Sequence, residues 1–319
     1  LADGGGESEA RALFDESSGA PFTNRAVQGQ YAPGSTWKLV TAVAGIDRGV
    51  VTPETTIDDD GFYVIPECVG RCRFQNAGAN RYGTVDLARA IAVSSDVYFY
   101  RLGAELWVRR DQLGESALQD TALQLGFGAQ TGVALPSESD GRVPTPASRR
   151  KLFEERPDVY VTGGWFTGDN VNLAIGQGEL TVTPLQLASV YGSFATGMPY
   201  SWNVALRIAP PGGQPVETIA PRRRDPLAVS EATRQAIMAG LRRALTDERG
   251  TATAAFSGFP LDRFPVAGKT GTAQATPKQD TALFVAVAPA DAPRYAVAVV
   301  MEQAGYGASS AAPVARRIL

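Results

Sequence analysis

The apolar residues change their spacing twice along the chain. From Ser35 to Ile46 they form an almost continuous Ala-rich run, opened by Pro33-Gly34 and closed by Gly49, which predicts a buried helix. Residues 50–83 lose that texture, and Asp58-Asp59-Asp60, Pro66, both cysteines and four glycines predict loops. A helix is predicted again with Thr84 as the cap of Val85–Val93, and after Ser94-Ser95-Asp96 an aromatic helix over Val97–Leu106. Thr183-Pro184 places a cap ahead of a proline opening Leu185–Phe194, and Ser230 caps Glu231–Leu245. From Phe264 the period switches, to short Val/Ala/Phe/Tyr runs separated by Pro, Asp and Lys. Phe264–Gln274, Thr281–Ala288 and Arg294–Met301 read as consecutive antiparallel strands, followed by a helix over Ser309–Leu319. Helices first and a meander last predict an α+β architecture: an antiparallel sheet covered by helices, with a helical subdomain at about 50–255 and the sheet and C-terminal helix at about 256–319. Residues 1–30 read as a polar lead-in with one amphipathic patch at Ala10–Phe14.

Composition narrows the chemistry. The 319 residues include no His, so Ser-His-Asp and Cys-His catalysis, His-ligated zinc and His-held haem are excluded, and any general base is Lys, a carboxylate or Tyr. Of the 30 cationic residues only Lys38, Lys151, Lys269 and Lys278 are lysines, the type that gives up its proton when buried. A net charge of -3 leaves no footprint for nucleic acid, and the short runs Arg109-Arg110, Arg149–Lys151 and Arg222–Arg224 read as solvated surface. No stretch approaches the ~20 apolar residues of a membrane span, and Leu1–Glu7 has no signal-peptide character. The expectation is a cytosolic protein, or one whose anchor is not in this chain.

Three short motifs carry the chemistry. They are Ser35-x-x-Lys38, Ser94-x-Asp96 and Lys269-Thr270-Gly271-Thr272. Residues three apart on a helix share a face, so the Lys38 amine can reach the Ser35 hydroxyl and take its proton, provided the amine is neutral. Burial and a neighbouring cation both depress a lysine, and Lys269 is the candidate cation. Lys269, Thr270 and Thr272 offer charge and hydroxyls to a substrate carboxylate, with Gly271 allowing close approach. Backbone N–H groups of Ser35 and Thr272 would form an oxyanion hole. Ser148-Arg149-Arg150-Lys151 also fits Ser-x-x-Lys, but its polar setting predicts a surface loop.

Together these motifs resemble those of β-lactamases and penicillin-binding proteins, more narrowly the class B penicillin-binding proteins that act as peptidoglycan D,D-transpeptidases. The resemblance runs from about residue 21 to the end. It includes Asn24-Arg25-Ala26, Tyr31-Ala-Pro-Gly-Ser-Thr, Gly126-Phe127-Gly128, Gly168-Asp169-Asn170, Gly176-Gln177-Gly178, Thr183–Gln186 and Ala311–Arg316. Ser-x-Asp followed by Tyr98-Phe99-Tyr100 looks like the elongation-type members. The resemblance implies a β-lactamase/transpeptidase-like fold, Ser35 as acylated nucleophile, Lys38 as its base, Ser94 as proton relay with Asp96 completing that motif, and Lys269, Thr270 and Thr272 on the terminal carboxylate. It implies stem peptides ending in D-Ala-D-Ala as substrates, β-lactams as inhibitors, no metal or organic cofactor, and a polytopic membrane glycosyltransferase as partner. It also implies an extracytoplasmic location, with the anchor, a pedestal and two strands of the sheet ahead of these residues. Where family members often carry an aromatic pair near the start of the next strand, Thr281-Ala282-Leu283-Phe284 keeps only Phe284.

Other residues leave alternatives open. Cys68 and Cys72 suit a small-loop disulfide in an oxidising compartment, two free thiols, or a metal site recruiting Asp58, Asp59 or Asp60. The Tyr98–Tyr100 group reads as core, Trp165 as core or substrate contact, and Gln177 as the holder of a tight turn near the site or a participant in the chemistry. A β-lactamase or D,D-carboxypeptidase would share acylation and then use water. A class A lactamase needs a Glu-centred deacylation loop, and the nearest candidate, Glu154-Glu155-Arg156-Pro157, lacks a neighbouring Asn. A β-lactam sensor, acylated once, is disfavoured by the long segments between motifs.

Overall fold

A computed structural model describes residues 19–319 apart from 71, 215 and 221, together with Arg11, Leu13 and Asp15. The Ala10–Phe14 patch falls largely outside them. A 3₁₀ turn over Gly34–Trp37 leads into α1 (Lys38–Asp47). Four short strands follow, β1 (Ile57–Asp59), β2 (Phe62–Val64), β3 (Arg73–Gln75) and β4 (Gly83–Val85). Next come α2 (Leu87–Val93), α3 (Asp96–Val108), α4 (Arg110–Leu113), α5 (Ala117–Leu125), α6 (Pro146–Glu155), α7 (Thr167–Ala174) and α8 (Pro184–Thr196). A β-ribbon, β5 (Tyr200–Ser201) and β6 (Arg207–Ile208) with β7 (Glu217–Thr218) and β8 (Arg222–Arg223), precedes α9 (Glu231–Thr246). The chain ends with β9 (Ala267–Ala273), β10 (Thr281–Ala288), β11 (Tyr295–Met301) and α10 (Ala311–Ile318).

β10 organises the fold. All eight of its residues are buried, because it lies between β9 and β11 with helices on both faces. Its alternate side chains feed two cores. Leu283, Val285 and Val287 join α1, α3 and α8, while Ala282, Phe284, Ala286 and Ala288 meet Phe256 and the alanines of α10. Each fully buried Leu, Val or Phe there contributes about 1.5–3 kcal/mol. The expected α+β class is therefore observed, with the antiparallel meander in the predicted order.

The helix predicted at Ser35 starts as a 3₁₀ turn, and only from Lys38 is it α-helical; Lys38 to Gly45 are buried on every side. Three expectations shift. Thr84 is not a cap: it lies in β4 opposite Asp58 and donates to Asp58 Oδ1 at 2.6 Å. The cap of α2 is Asp86, which accepts from Arg89 N–H. Ser148–Lys151 is not a loop either, since Thr145 and Ser148 form a capping box that starts α6. Residues 50–83, expected as loops, carry two three-residue ladders, too short for a hydrophobic period to reveal.

Candidate active site

Ser35 is half-buried at the bottom of a cleft of about 1690 Å³, on the 3₁₀ turn that precedes α1. The turn is pressed against β9. Gly34, at φ +52°, donates to Gly176 O at 3.0 Å, and a Cβ on it would lie 2.5 Å from Thr272 O. A Cβ on Gly271 would meet Pro33 O and Thr36 Cγ2 at 2.9 Å, so both glycines are needed for close approach of the two segments. Gly34→Ala combines left-handed strain with overpacking and is expected to cost about 2–4 kcal/mol. A thermal midpoint within a degree of the parent would count against this.

Lys38 emerges from the same turn with no exposed side-chain surface. Its amine donates to Asp96 Oδ1 at 2.6 Å, to Ser94 O at 2.8 Å and to Ser94 Oγ at 3.0 Å, and it sits 5.3 Å from the Phe99 ring centroid. Those bonds use all three donors of an ammonium group. Ser35 is thus not a hydrogen-bond partner of Lys38, unlike the contact expected from helical spacing; the buried amine takes the stronger, charged acceptor. Ser94 closes α2 in the left-handed region at φ 59°, and Ser95 caps α3 by accepting from Tyr98 N–H. This sharp junction turns the Ser94 hydroxyl and carbonyl and the Asp96 carboxylate toward one amine. Burial pushes Lys38 below the ordinary lysine value, with Asp96 opposing.

Lys269 comes from β9. It pairs with Val285 and so projects to the face covered by α1. It is 1 % exposed, and its amine donates to Thr270 O at 3.3 Å. Burial first and the Lys38 charge second hold it well below the ordinary value, with Asp96 opposing. The two lysines of the motifs therefore share one buried site, and the Lys38 charge makes Lys269 easier to deprotonate; Lys38 itself is depressed by burial and not by Lys269, the cation expected from the sequence. On the opposite face of β9, Thr270 Oγ1 donates to Thr251 Oγ1 at 2.8 Å. Thr272 O accepts from Gln177 Nε2 at 3.3 Å, so Thr272 turns its backbone polar groups away from β10 toward the free edge of the strand. Gln177 is a cleft residue as well as the centre of a tight turn.

Around this centre the cleft is lined by Trp165, Phe166, Asn172, Thr251 and Tyr306. Cys68 and Cys72 are joined in a disulfide that closes the tip of the β2–β3 hairpin, and Cys68 and Val69 line the cleft. Closing so short a loop is worth about 2 kcal/mol by chain entropy. Treatment with a phosphine reductant should therefore lower the thermal midpoint by a few degrees, and an unchanged midpoint would contradict the staple. Among the described residues no group of His, Cys, Asp and Glu is arranged to hold a metal ion. Glu154 and Glu155 are exposed on α6, where Lys151 faces Glu155, and do not line the cleft. Phe284 packs on Phe256 in the core and is not a cleft residue either.

The model for the penicillin binding protein transpeptidase domain matches residues 3–319. The chain belongs to this family. A curated relative, peptidoglycan D,D-transpeptidase MrdA of Haemophilus influenzae, is 32% identical over 94% of this chain and 45% of its own. The chain spans about half the length of the curated relatives it matches. The crystal structure of Pseudomonas aeruginosa PBP2 in complex with WCK 5153 superposes with a TM-score of 0.81 at 31% identity, covering 98% of this chain and 65% of that one. A structure described as the coordination of polymerization and crosslinking by a peptidoglycan synthase complex gives 0.78 at 31% identity, over 98% and 49%. These relatives agree with the class B, elongation-type resemblance and with the expected fold.

All three motifs meet in one cleft. What sequence reasoning missed lies behind it. The Ala77 N–H donates to Asp96 from the far side, Asp59 and Asn76 hold the residues on either side of Asp96, and Thr251 accepts from Thr270. Asp59 is the buried one of three consecutive aspartates, with Asp58 and Asp60 exposed on either side, and nothing in the local sequence marks which of the three turns inward. The second Ser-x-x-Lys is a structural device instead. Its Arg149 bonds Glu179 at 3.0 Å and lies 5.7 Å from the Trp165 ring centroid, bracing the cleft wall.

Proposed function

We propose that this chain is the catalytic part of a peptidoglycan D,D-transpeptidase that cross-links stem peptides through an acyl-enzyme on Ser35 and is acylated by β-lactams. The observation that carries the reading is the convergence of Ser35, Ser94, Thr270 and Thr272 on one cleft with Lys38 and Lys269 buried beneath it. Ser35 Oγ attacks the carbonyl carbon of the D-Ala-D-Ala peptide bond, and its proton passes to the Lys38 amine through the Ser94 hydroxyl, which is 3.0 Å from that amine. The negative oxygen is met by the Ser35 and Thr272 N–H groups, a pair whose donors are worth roughly 3–4 kcal/mol each. The proton then goes to the departing nitrogen, D-Ala leaves, and an amine of a second stem peptide attacks the ester and returns a proton to Ser35. Lys269, Thr270 and Thr272 hold the terminal carboxylate, or that of a β-lactam, with Gly271 permitting the approach.

On this reading residues 31–319 are the catalytic unit, helical at about 50–255 and sheet-forming at about 256–319. The protein works on the extracytoplasmic face of the cell membrane, where the Cys68–Cys72 disulfide is stable. No described helix is long and apolar enough to cross a membrane. Likeness to a peptidoglycan synthase complex supports a polytopic glycosyltransferase as partner.

The test supplies a donor pentapeptide ending in D-Ala-D-Ala and a stem-peptide amine acceptor, with products followed by mass spectrometry. Cross-linked dimer with release of D-Ala is expected. Release of D-Ala with water as the only acceptor would make the chain a carboxypeptidase, and rapid turnover of penicillin would make it a lactamase.

A further inference from the structure

Asp59 is fully buried, lies outside all three motifs, and ends the strand β1. Its Oδ1 accepts from Gly61 N–H at 2.9 Å and from Asn76 Nδ2 at 2.7 Å, and its Oδ2 accepts from Ser95 Oγ at 2.5 Å. Every partner donates, as an acceptor-only carboxylate requires. The Gly61 contact closes the turn after β1, and the other two lead to the Ser94–Asp96 junction. Ser95 Oγ, held by Asp59, caps α3 at Tyr98 N–H. Asn76, held by Asp59, accepts from Val97 N–H at 3.0 Å through Oδ1. The next residue, Ala77, donates its N–H to Asp96 Oδ2 at 3.2 Å, so that carboxylate is fixed between Ala77 and the Lys38 amine.

We propose that Asp59 is the positioning residue for the Ser94–Asp96 junction, and through it sets the place and the charge environment of the Lys38 amine. Asp59 touches no reacting atom. It makes a left-handed Ser94 affordable by tying down the residue that follows it, and it adds a second carboxylate to a pocket that holds two amines. The charged or titratable groups facing Lys38 are Asp96 from α3, Asp59 from β1 and Lys269 from β9. Tyr82, ahead of β4, faces the two carboxylates with the Arg249 guanidinium 4.9 Å from its ring centroid. Asp59 acts on Lys38 in the same direction as Asp96, favouring its protonated form.

The inference rests on Ser35 and Lys38 acting as proposed above, so its test has a readout that does not need acylation. With four lysines in the chain, the Lys38 amine can be followed by NMR of lysine labelled at Cε, assigned by Lys38→Met. Asp59→Asn removes a negative charge and should move the Lys38 titration to lower pH. Acylation by a fluorescent penicillin should slow at least about tenfold at its optimum, and its acid limb should move in the same direction. The exchange Asp59→Asn with Asn76→Asp restores a carboxylate to the network and should recover most of the rate and return the limb. Ser95→Ala, which keeps the Asp59 charge and deletes its link to the α3 cap, should slow acylation without moving the limb. An unmoved Lys38 titration in Asp59→Asn would overturn the proposal, as would a rate loss explained by the unfolded fraction alone. If Asp59→Asn does not fold, Ser95→Ala decides: an unchanged rate overturns the positioning role. A parent protein that forms no adduct would refute the proposed function while leaving the Lys38 titration to judge Asp59.

Discussion

Ser35→Ala is expected to abolish the stable adduct with a labelled penicillin while leaving the thermal midpoint close to that of the parent. Deleting the nucleophile of a serine acyl-transfer enzyme removes on the order of 10⁶ in rate. Ser35 is half-buried at the cleft floor and Ala keeps its Cβ, so the packing of the turn against β9 is undisturbed. The informative control is Ser148→Ala. Ser148 has the same Ser-x-x-Lys spacing, yet it belongs to the capping box of α6, so its loss costs about 1 kcal/mol and leaves the adduct at full yield. Intact mass spectrometry after incubation reads both. An adduct of unchanged stoichiometry on Ser35→Ala would remove Ser35 from the mechanism.

The contrast between Ser35 and Ser148 also shows how far the sequence carried. Both have the spacing, and flanking texture separated them: Pro33-Gly34 and an apolar helix for one, which lies in the cleft, and arginines for the other, which starts α6 instead of lying in the expected loop. The strands β9 to β11 were legible as runs of seven or eight mostly apolar and small residues bounded by Pro, Asp and Lys, too short for buried helices. The ladders β1–β4 and β2–β3 are three residues long, and a period of two leaves no trace at that length. Capping of α2 went to Asp86 because tertiary pairing draws Thr84 into β4; either residue suits a cap by type. Burial of Asp59 is equally a tertiary fact. It arises because residues around 76 and the Ser94–Asp96 junction close over β1, two contacts that no local window contains. The partner of Lys38 was missed for the same reason. Spacing offered Ser35, and the folded chain presents Asp96, which a buried amine prefers.

Lys38→Met is expected to slow acylation by about 10²–10⁴ or more, since it removes the proton acceptor next to Ser94. It also strands the Asp96 carboxylate without its cation, at a cost of about 3–5 kcal/mol, so the thermal midpoint should fall with the rate. The double variant Lys38→Met with Asp96→Asn separates the two effects: the midpoint should recover much of its loss, while acylation stays as slow as in Lys38→Met. Asp96→Asn alone tests the electrostatics. Asp96 favours the protonated amine, so removing its charge moves Lys38 further below the ordinary value. A base acts when neutral, and the acid limb of the acylation profile should therefore shift to lower pH. Stability follows the same sign. A lysine depressed in the folded state is protonated more readily in the unfolded chain, so between its folded value and the unfolded ~10.4 stability rises with pH, fully so only above that window. Both buried lysines act in this direction, and Lys269 the more strongly because Lys38 adds to its burial. An acid limb that stays in place in Asp96→Asn, with acylation preserved in Lys38→Met, would assign the proton to a different group, and Lys269 is the amine left in the pocket to take it.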